Sequence, residues 1–286
     1  MKKENVKCDI CNVDNATLLF NKEGYDIVKC SICGLVYVNP RLKYSILNDM
    51  YNSNKISPYT YYIDNIKNDE KAFRIKLSEI EKYKKPGRIL DVGCGVGVLL
   101  NEAKKRGWET YGLDLQKKAV DYANNHFNVN ARLGTLENNP FKDGFFDLIV
   151  MNDFLEHVPN PAGSLKIASK LLKKNGIIFL STPDINSFLA NISGKKWIHL
   201  KPNEHIYYFS LNTLRILLNN AGLNIFKYTY FGRFRGLGTI LSKMQTYSKL
   251  FYKMIRFFKL EKLLNKLSFY VNPRDEISIF ARKTKA

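Results

Sequence analysis

A glycine-rich turn between a short apolar strand and a helix is the feature that most constrains this fold. Residues 88–92 have the composition of a buried strand, and the turn Gly93-Cys-Gly-Val-Gly97 follows directly. Glycines in such a turn let the backbone reverse tightly and approach a bound ligand closely. Strand and helix patterns alternate over most of the remaining chain, which predicts an α/β fold with a doubly wound, mostly parallel sheet.

The elements of this pattern can be assigned along the chain. We predict helices at 66–84, 96–106, 116–126, 161–173 and 211–221, and strands at 88–92, 109–114, 128–133, 145–151, 176–181, 223–231 and 276–282. Ser210 is placed to cap the helix over 211–221, and Gly222 is placed to end it.

Four of the five cysteines form two pairs near the N-terminus, Cys8-x-x-Cys11 and Cys30-x-x-Cys33. This spacing is typical of four-cysteine zinc sites, in which each pair lies on a tight turn. Four thiolates complete a tetrahedral site and leave no open position for catalysis, so the predicted Zn²⁺ is structural. We therefore divide the chain into a zinc-ribbon module (1–40), a linker with an N-terminal helix (41–85) and a main domain (86–286).

Two acidic residues flank the glycine turn in the predicted sheet. Asp91 precedes the glycines, and Asp114 ends the next strand. A carboxylate at that second position can accept hydrogen bonds from ribose hydroxyls. The phosphate-binding pattern Gly-x-x-x-x-Gly-Lys-Ser/Thr is absent, which disfavours a nucleoside triphosphate.

At this point the sequence resembles class I S-adenosylmethionine-dependent methyltransferases, in particular a bacterial subgroup with an N-terminal zinc ribbon. The resemblance lies in ILDVGCGVG (89–97), YGLDL (111–115), FFDLIVMNDFLEHVPNP (145–161), LLKKNGIIFLSTP (171–183), NEHIYYFSLNTLRILLNNAGL (203–223) and DEISIFARK (275–283). It implies a Rossmann-like seven-stranded sheet, mostly parallel, with an antiparallel last strand, and makes 86–286 a methyltransferase domain.

The resemblance also implies a site for the cofactor S-adenosyl-L-methionine. The methionine part would be flanked by Gly93, Cys94, Gly95 and Gly97, the ribose would be bound by Asp114, and Thr135 and Leu136 would lie near the adenine. Asp91, at the strand end before the glycines, is also assigned to the cofactor site. Many relatives carry an acid where this chain has Thr135, and a threonine only partly replaces that acceptor for the adenine amine.

A hydroxyl acceptor must lose its proton, and a positioned histidine suits that task near neutral pH. His205 lies in the loop before the 211–221 helix, which we expect to cover the acceptor. His157 follows the fourth strand of the domain and is expected to face the cleft. We rank His205 ahead of His157 as the catalytic base, and a structural hydrogen bond is the alternative role for His157.

The formal net charge is +19, which favours an anionic partner or reflects biased composition. The Asn/Asp-Pro-Pro-Tyr motif of base-methylating enzymes is absent after the fourth strand, where Met151-Asn-Asp-Phe154 stands instead. Since the subgroup is associated with sugar, surface-polysaccharide and secondary-metabolite pathways, we favour methylation of a hydroxyl on a sugar or related small molecule. The alternatives are an RNA or protein methyltransferase and a non-catalytic binding module.

Residues 232–274 are a predicted basic, helical insertion before the last strand. Within 243–259, basic residues lie opposite aromatic and aliphatic ones at helical spacing, which suits an anionic membrane surface or packing on the core. The N-terminus lacks a signal-peptide pattern. We therefore expect a cytoplasmic protein, peripheral at the inner membrane face if this stretch binds lipid.

Overall fold

The structure is a computed structural model that describes residues 2–53, 59–236 and 267–283. The chain begins with five short strands: β1 (Lys3–Glu4), β2 (Ala16–Lys22), β3 (Tyr25–Cys30), β4 (Val36–Val38) and β5 (Arg41–Leu42). These strands and the loops between them, residues 2–42, are called the N-terminal module below. Strands β2, β3 and β4 pair antiparallel, and β1 pairs with β5. Two helices follow, α1 (Tyr44–Asn52) and α2 (Tyr59–Ile80).

Strands and helices alternate from Arg88 onward. The elements are β6 (Arg88–Val92), α3 (Val98–Lys105), β7 (Glu109–Asp114), α4 (Lys117–Phe127), β8 (Asn130–Leu133), β9 (Phe146–Asn152), α5 (Pro161–Leu171), β10 (Leu172–Pro183), α6 (Phe188–Ser193), β11 (Tyr207–Tyr208), α7 (Leu211–Asn220), β12 (Leu223–Tyr230), β13 (Arg233–Gly236), β14 (Ser268–Val271) and β15 (Glu276–Lys283). A 3₁₀ turn covers Gly194–Lys196.

Seven of these strands form one sheet in the order β12-β15-β10-β9-β6-β7-β8. The pairs among β10, β9, β6, β7 and β8 are parallel, whereas β15 runs antiparallel to both β10 and β12. This confirms the predicted Rossmann-like fold with an antiparallel last strand. The carboxyl ends of β6, β7, β8 and β9 therefore meet along one edge, where a ligand cleft is expected in a parallel sheet.

The predicted element boundaries agree with the structure to within a few residues, except at two elements. Strand β10 begins at Leu172 instead of 176, and helix α2 begins at Tyr59 instead of 66. Helix α2 is longer because Tyr59, Tyr62 and Ile63 pack with Val96, which the sequence pattern did not reveal. Ser210 caps α7 as predicted, since its side chain accepts a hydrogen bond from the Thr213 backbone N–H.

The N-terminal module and the main domain share a hydrophobic core. Cys8, Cys30 and Tyr37 of the module lie in the same buried cluster as Leu90 and Ile149 of the large sheet. Strand β11 pairs antiparallel with β4, so a segment of the 86–286 region completes the module's four-stranded sheet. The module is thus packed into the wall of the larger domain.

The predicted helical insertion at 232–274 begins and ends as β-structure. Strand β13 pairs antiparallel with β14, with Arg233 opposite Val271, so the helical prediction is wrong at these two ends. The basic stretch 243–259 lies outside the described residues. Within the parts of the chain that the structure describes, no helix has the length and apolar character needed to cross a bilayer.

Candidate active site

A cavity of about 500 Å³ opens at the carboxyl ends of β6–β9. Its lining includes all but one of the residues predicted to bind the cofactor: Asp91, Gly93, Cys94, Gly95, Asp114, Thr135 and Leu136. Gly97 instead begins α3 behind the cavity, where an added Cβ would come within 2.7 Å of the Ala123 methyl group. Gly97 therefore supports the site through close packing of α3 on α4.

The glycine turn is held to the second strand through Asp114. One carboxylate oxygen accepts a hydrogen bond from the Gly95 N–H at 2.8 Å, and the other accepts one from the Gln116 N–H at 2.8 Å. An ionised carboxylate has about four acceptor positions, so two backbone bonds leave capacity for ribose hydroxyls. An added Cβ at Gly95 would meet nothing within 4 Å, so the turn leaves open space for a cofactor.

Two further residues at the turn are buried and have raised pKa values. Burial, together with the charge of Asp114, raises the pKa of Asp91 to about 7. Burial also raises the pKa of the Cys94 thiol well above its usual range, and Asp114 adds to the effect. A thiol that stays protonated is a poor nucleophile. Cys94 packs against Gly112, where an added Cβ would come within 2.7 Å of its sulfur, so Cys94 fills space beneath the turn.

Two of the four histidines meet at the end of β9, but only His157 lines the cavity. The rings of His157 and His205 are 4.8 Å apart, centre to centre. The Nδ1–H of His157 donates to the Glu204 carbonyl at 3.0 Å, and that of His205 donates to the His199 carbonyl at 2.7 Å. His205, ranked first from the sequence, therefore lies behind His157 and is buried.

Burial keeps this histidine pair neutral. It lowers the pKa of His157, and it lowers the pKa of His205 further, with the neighbouring histidines adding to that shift. Glu156 is buried beside both rings, and burial raises the pKa of its carboxyl well above the usual range, which favours the protonated form. The acid and imidazole atoms of this trio lie within 4.8 Å of one another. The pKa shifts of all three groups favour their neutral forms, which avoid the cost of burying a charge.

Asp153 is the cleft residue that the sequence analysis missed. It directly follows β9 and has a left-handed backbone conformation, with φ of 52°, which is uncommon for a residue other than glycine. One carboxylate oxygen accepts hydrogen bonds from Arg233 and Asn152. The other oxygen is buried with no hydrogen-bond partner among the described residues. Asp153 therefore lines the cavity and has one carboxylate oxygen whose hydrogen-bonding capacity is unused.

The charge of Asp153 is fixed by its neighbours. Although burial opposes ionisation, Arg233 and Lys76 hold the pKa of Asp153 well below its usual range. Arg233 also donates to Glu276 at 2.8 Å, so one guanidinium joins two carboxylates from different strands. Lys76 is buried on α2 and donates to the Asn152 side chain. No local sequence signal identifies this network, because its members come from α2, β9, β13 and β15.

A second cavity of about 170 Å³ adjoins the first, and Arg233 lines both. The second cavity lies on the β15 side of Asp153, and His199 is part of its lining. The Nε2 atom of His199 is 3.3 Å from a carboxylate oxygen of Asp275 and 3.6 Å from one of Glu276. The cleft thus has one part above β6–β8, where the predicted cofactor residues lie, and another near β15.

The four paired cysteines lie close enough together to bind one metal ion. Their sulfur atoms are within 4.8 Å of one another, and those of Cys8 and Cys33 are 3.5 Å apart. Each pair lies on a turn closed by backbone hydrogen bonds, from Asn12 N–H to Cys8 O and from Gly34 N–H to Cys30 O. Thiolates in such a group suit Zn²⁺. The arrangement fits the predicted structural zinc, which remains a prediction.

Comparison with known proteins gives a family match and a set of relatives. The model of a methyltransferase-domain family matches residues 65–228, more than half of the chain. A ubiquinone biosynthesis O-methyltransferase from Coxiella burnetii is 33% identical over 132 residues, which cover 44% of this chain and 56% of the relative. A protein of the same name from Azoarcus sp. is 30% identical over 150 residues, covering 48% of this chain and 64% of the relative.

Solved structures with the same fold are more distant in sequence. Magnesium protoporphyrin IX methyltransferase from Synechocystis, with bound S-adenosylhomocysteine, has a TM-score of 0.57 at 16% identity, covering 85% of this chain and 100% of that one. A methyltransferase from Archaeoglobus fulgidus has a TM-score of 0.53 at 20% identity, covering 78% and 99%. At such identities the likeness concerns the fold alone.

Proposed function

The chain belongs to the family of methyltransferase domains, and from that premise we propose that it methylates a hydroxyl of a sugar or related small molecule. S-adenosylmethionine supplies the methyl group on a positively charged sulfur, so an in-line displacement needs mainly correct positioning of the acceptor. The neutral imidazole of His157 in the cavity carries this proposal. A hydroxyl acceptor needs such a group, because its proton must leave as the new bond forms.

His157 is the better placed of the two candidate bases. Since its Nδ1–H donates to the Glu204 carbonyl, the neutral ring has its lone pair on Nε2. The charge of Asp153 acts on His157 and would stabilise the imidazolium formed when the acceptor proton arrives. His205 packs against the His157 ring and does not line the cavity. We therefore assign His157 as the base and His205 as its support.

The acceptor is proposed to bind between the cofactor and the second cavity. The predicted cofactor residues follow β6, β7 and β8, so the half of the cleft near β9 and β15 is left for another ligand. Asp153 lies at that boundary with an unused carboxylate oxygen. An ionised carboxylate only accepts hydrogen bonds. It would therefore orient a hydroxyl group of the acceptor beside His157.

The charges that line the cavity argue against RNA as the acceptor. Asp69, Asp91, Asp114, Glu137 and Asp153 line it, and Arg233 is the one lysine or arginine among the described lining residues. The Arg233 guanidinium already forms ion pairs with the carboxylates of Asp153 and Glu276. Even with Asp91 partly protonated near neutral pH, the lining has more acidic than basic groups, which disfavours a phosphate backbone inside the cavity although the whole chain carries +19. A neutral small molecule fits better, and the names of the O-methyltransferase relatives support a hydroxyl acceptor.

The test combines cofactor binding with an acceptor screen. Wild type, His157→Ala and His205→Ala would be titrated with S-adenosylhomocysteine by calorimetry, then assayed with S-adenosylmethionine against nucleotide sugars, methyl glycosides and simple phenols. We expect all three proteins to bind S-adenosylhomocysteine. His157→Ala should lose turnover by ~10²–10⁴-fold, the usual contribution of a general base.

The same assay distinguishes the alternatives. A larger loss for His205→Ala than for His157→Ala would return the base to His205. Methylation of RNA or protein, with no small hydroxyl compound methylated, would contradict the proposed acceptor class. Wild type that binds no S-adenosylhomocysteine would support the non-catalytic alternative. The proposed membrane contact through 243–259 is a separate hypothesis. Co-sedimentation of the protein with anionic vesicles, compared with neutral vesicles, would test it.

A further inference from the structure

Arg41 joins the N-terminal module to the wall of the cofactor cavity. It is 8% exposed, and its guanidinium donates to the Pro159 carbonyl at 3.0 Å and to the Tyr207 hydroxyl at 3.0 Å. The Tyr207 hydroxyl in turn donates to the same Pro159 carbonyl at 3.1 Å. Pro159 lines the cavity together with Val158 and Asn160. The backbone of this wall is therefore held by a side chain from the module.

Asp9 makes a second connection, from inside the first cysteine turn. It lies between Cys8 and Cys11, and its carboxylate accepts a hydrogen bond from the Ala162 N–H at 2.8 Å. Ala162 belongs to the first turn of α5, directly after the cavity wall. A carboxylate is favourable at a helix N-terminus because it meets free N–H groups and the positive end of the helix dipole. Any change in the first cysteine turn would move this contact.

The second cysteine pair is connected to the cavity through the backbone. Strand β4 follows that pair and forms a ladder with β11, with Tyr37 opposite Tyr207. The N–H groups of Ile206 and Tyr207 donate to the Glu156 carbonyl at 2.9 and 3.3 Å. Glu156 directly precedes His157. Both cysteine pairs are thus linked by short hydrogen-bonded paths to the segment 156–162, which forms one side of the cavity.

The wall segment faces the part of the cavity where the adenine is expected. Leu136 and Glu137 line the same cavity, and the Ser164 hydroxyl of α5 donates to the Glu137 carboxylate at 3.5 Å. A displacement of residues 158–160 would therefore change the width of the cofactor site. Packed elements of this kind transmit a shift at one place to another because they cannot deform continuously.

We propose that the N-terminal module is a positioning element of the cofactor site, in which Arg41 and Asp9 couple metal binding at the four cysteines to cofactor binding. The proposal rests on zinc as the metal and on S-adenosylmethionine as the cofactor. Coupling between two sites is reciprocal: if metal binding strengthens cofactor binding, the cofactor must strengthen metal binding by the same factor. A module that only captured substrate would not show this reciprocity.

The experiment measures both directions on the zinc-loaded full chain. The partition of zinc between the protein and EDTA would be measured at equilibrium by elemental analysis of the protein, with and without saturating S-adenosylhomocysteine. Calorimetry would give the affinity for S-adenosylhomocysteine in wild type, Arg41→Met and Tyr207→Phe. Arg88→Met is the matched control, because Arg88 pairs with Glu109 on the surface at the opposite end of β6.

We expect S-adenosylhomocysteine to tighten zinc binding by wild type about 5-fold or more, the lower range of typical coupling factors. Arg41→Met should bind S-adenosylhomocysteine more weakly by a similar factor and lose the effect of this ligand on zinc affinity. Tyr207→Phe keeps the ring packing and removes only the hydroxyl, so it should show the same change to a smaller extent. Arg88→Met should behave as wild type in both assays.

Other outcomes would overturn the proposal. If the ligand leaves the zinc affinity of wild type unchanged, or if Arg41→Met and Tyr207→Phe both bind the ligand as wild type does, the module does not position the site. If Arg41→Met does not fold, the same two measurements on Tyr207→Phe decide whether the module positions the site. If zinc-loaded wild type binds no S-adenosylhomocysteine, the cofactor assignment is contradicted as well. If wild type binds S-adenosylhomocysteine but zinc binding does not respond to it, only the coupling is contradicted.

Discussion

Asp153 and Arg233 form an ion pair in the cleft although 80 positions separate them in the chain. Their side chains are 27% and 28% exposed. Arg233 also pairs with Glu276 at 2.7 Å, so three charges from β9, β13 and β15 meet at the boundary of the two cavities. This contact ties the end of β9, with its left-handed residue, to the edge of the sheet where β15 begins.

Replacing Arg233 with Met should destabilise the fold, because it removes the guanidinium that joins Asp153 and Glu276 and leaves two carboxylates close together. Removing one member of a fully buried pair costs 3–5 kcal/mol, and the partial exposure here lowers the expectation to about 2 kcal/mol at pH 7. Urea unfolding of wild type and Arg233→Met measures this difference in the free energy of unfolding. Lys117→Met is the control, since Lys117 and Asp121 are an exposed pair whose loss should cost at most about 0.5 kcal/mol.

The loss in Arg233→Met should also depend on pH. Arg233 holds the pKa of Asp153 below its unfolded value. The stabilisation is therefore complete above the unfolded pKa of about 3.9 and is lost as the pH falls toward the lower folded value. The difference between wild type and the variant should be largest near neutral pH and shrink below about pH 4. A difference that stays constant on acidification would contradict this role of Asp153.

Asp114→Ala should weaken the binding of S-adenosylmethionine by roughly 1.5–3 kcal/mol, the range for hydrogen bonds to a charged group. The carboxylate also holds the Gly95 N–H, so the variant loses support of the turn as well as the ribose contact. Calorimetry with S-adenosylhomocysteine provides the value. Asp121→Ala on the exposed face of α4 should bind as wild type does. Equal affinities for Asp114→Ala and wild type would remove Asp114 from the cofactor site.

The pH profile of turnover should identify His157. A general base must be deprotonated, and burial lowers the pKa of His157 below its usual value. The acidic limb of kcat/KM should therefore have its midpoint below about 6.5. Asp153→Asn should move the midpoint lower still, because the charge of Asp153 raises the pKa of His157. A midpoint above 6.5 in wild type, or an upward shift in the variant, would argue for another base.

One zinc ion per chain is expected in metal-replete protein. Cys8→Ser combined with Cys11→Ser should lose it, since two thiolates cannot complete a tetrahedral site. Cys94→Ser is the matched control, because Cys94 lies under the glycine turn away from the other four cysteines. Elemental analysis decides: retention of zinc in the double variant would exclude the four-thiolate site.

Much of the fold could be predicted because it depends on local pattern. Strand β7 has the bounds expected from the sequence, and the Ser210 cap is formed as predicted. Glycine spacing placed the turn, since few other residues adopt the positive φ found at Gly93 and Gly95. The two Cys-x-x-Cys pairs likewise put their sulfur atoms together. In each case the residues that determine the feature are neighbours in sequence or repeat with the period of one element.

Tertiary structure decided which residues face the cleft. The sequence favoured His205 over His157, yet the packing of the loop before α7 puts only His157 in the cavity lining. Asp153 has a left-handed backbone conformation, and Asn152 and Arg233 hold its side chain. The position of the N-terminal module depends on the pairing of β4 with β11, about 170 residues further along. Sequence periodicity determines which face of an element is buried, but the partner it meets is decided by long-range packing, in which many distant contacts are satisfied together.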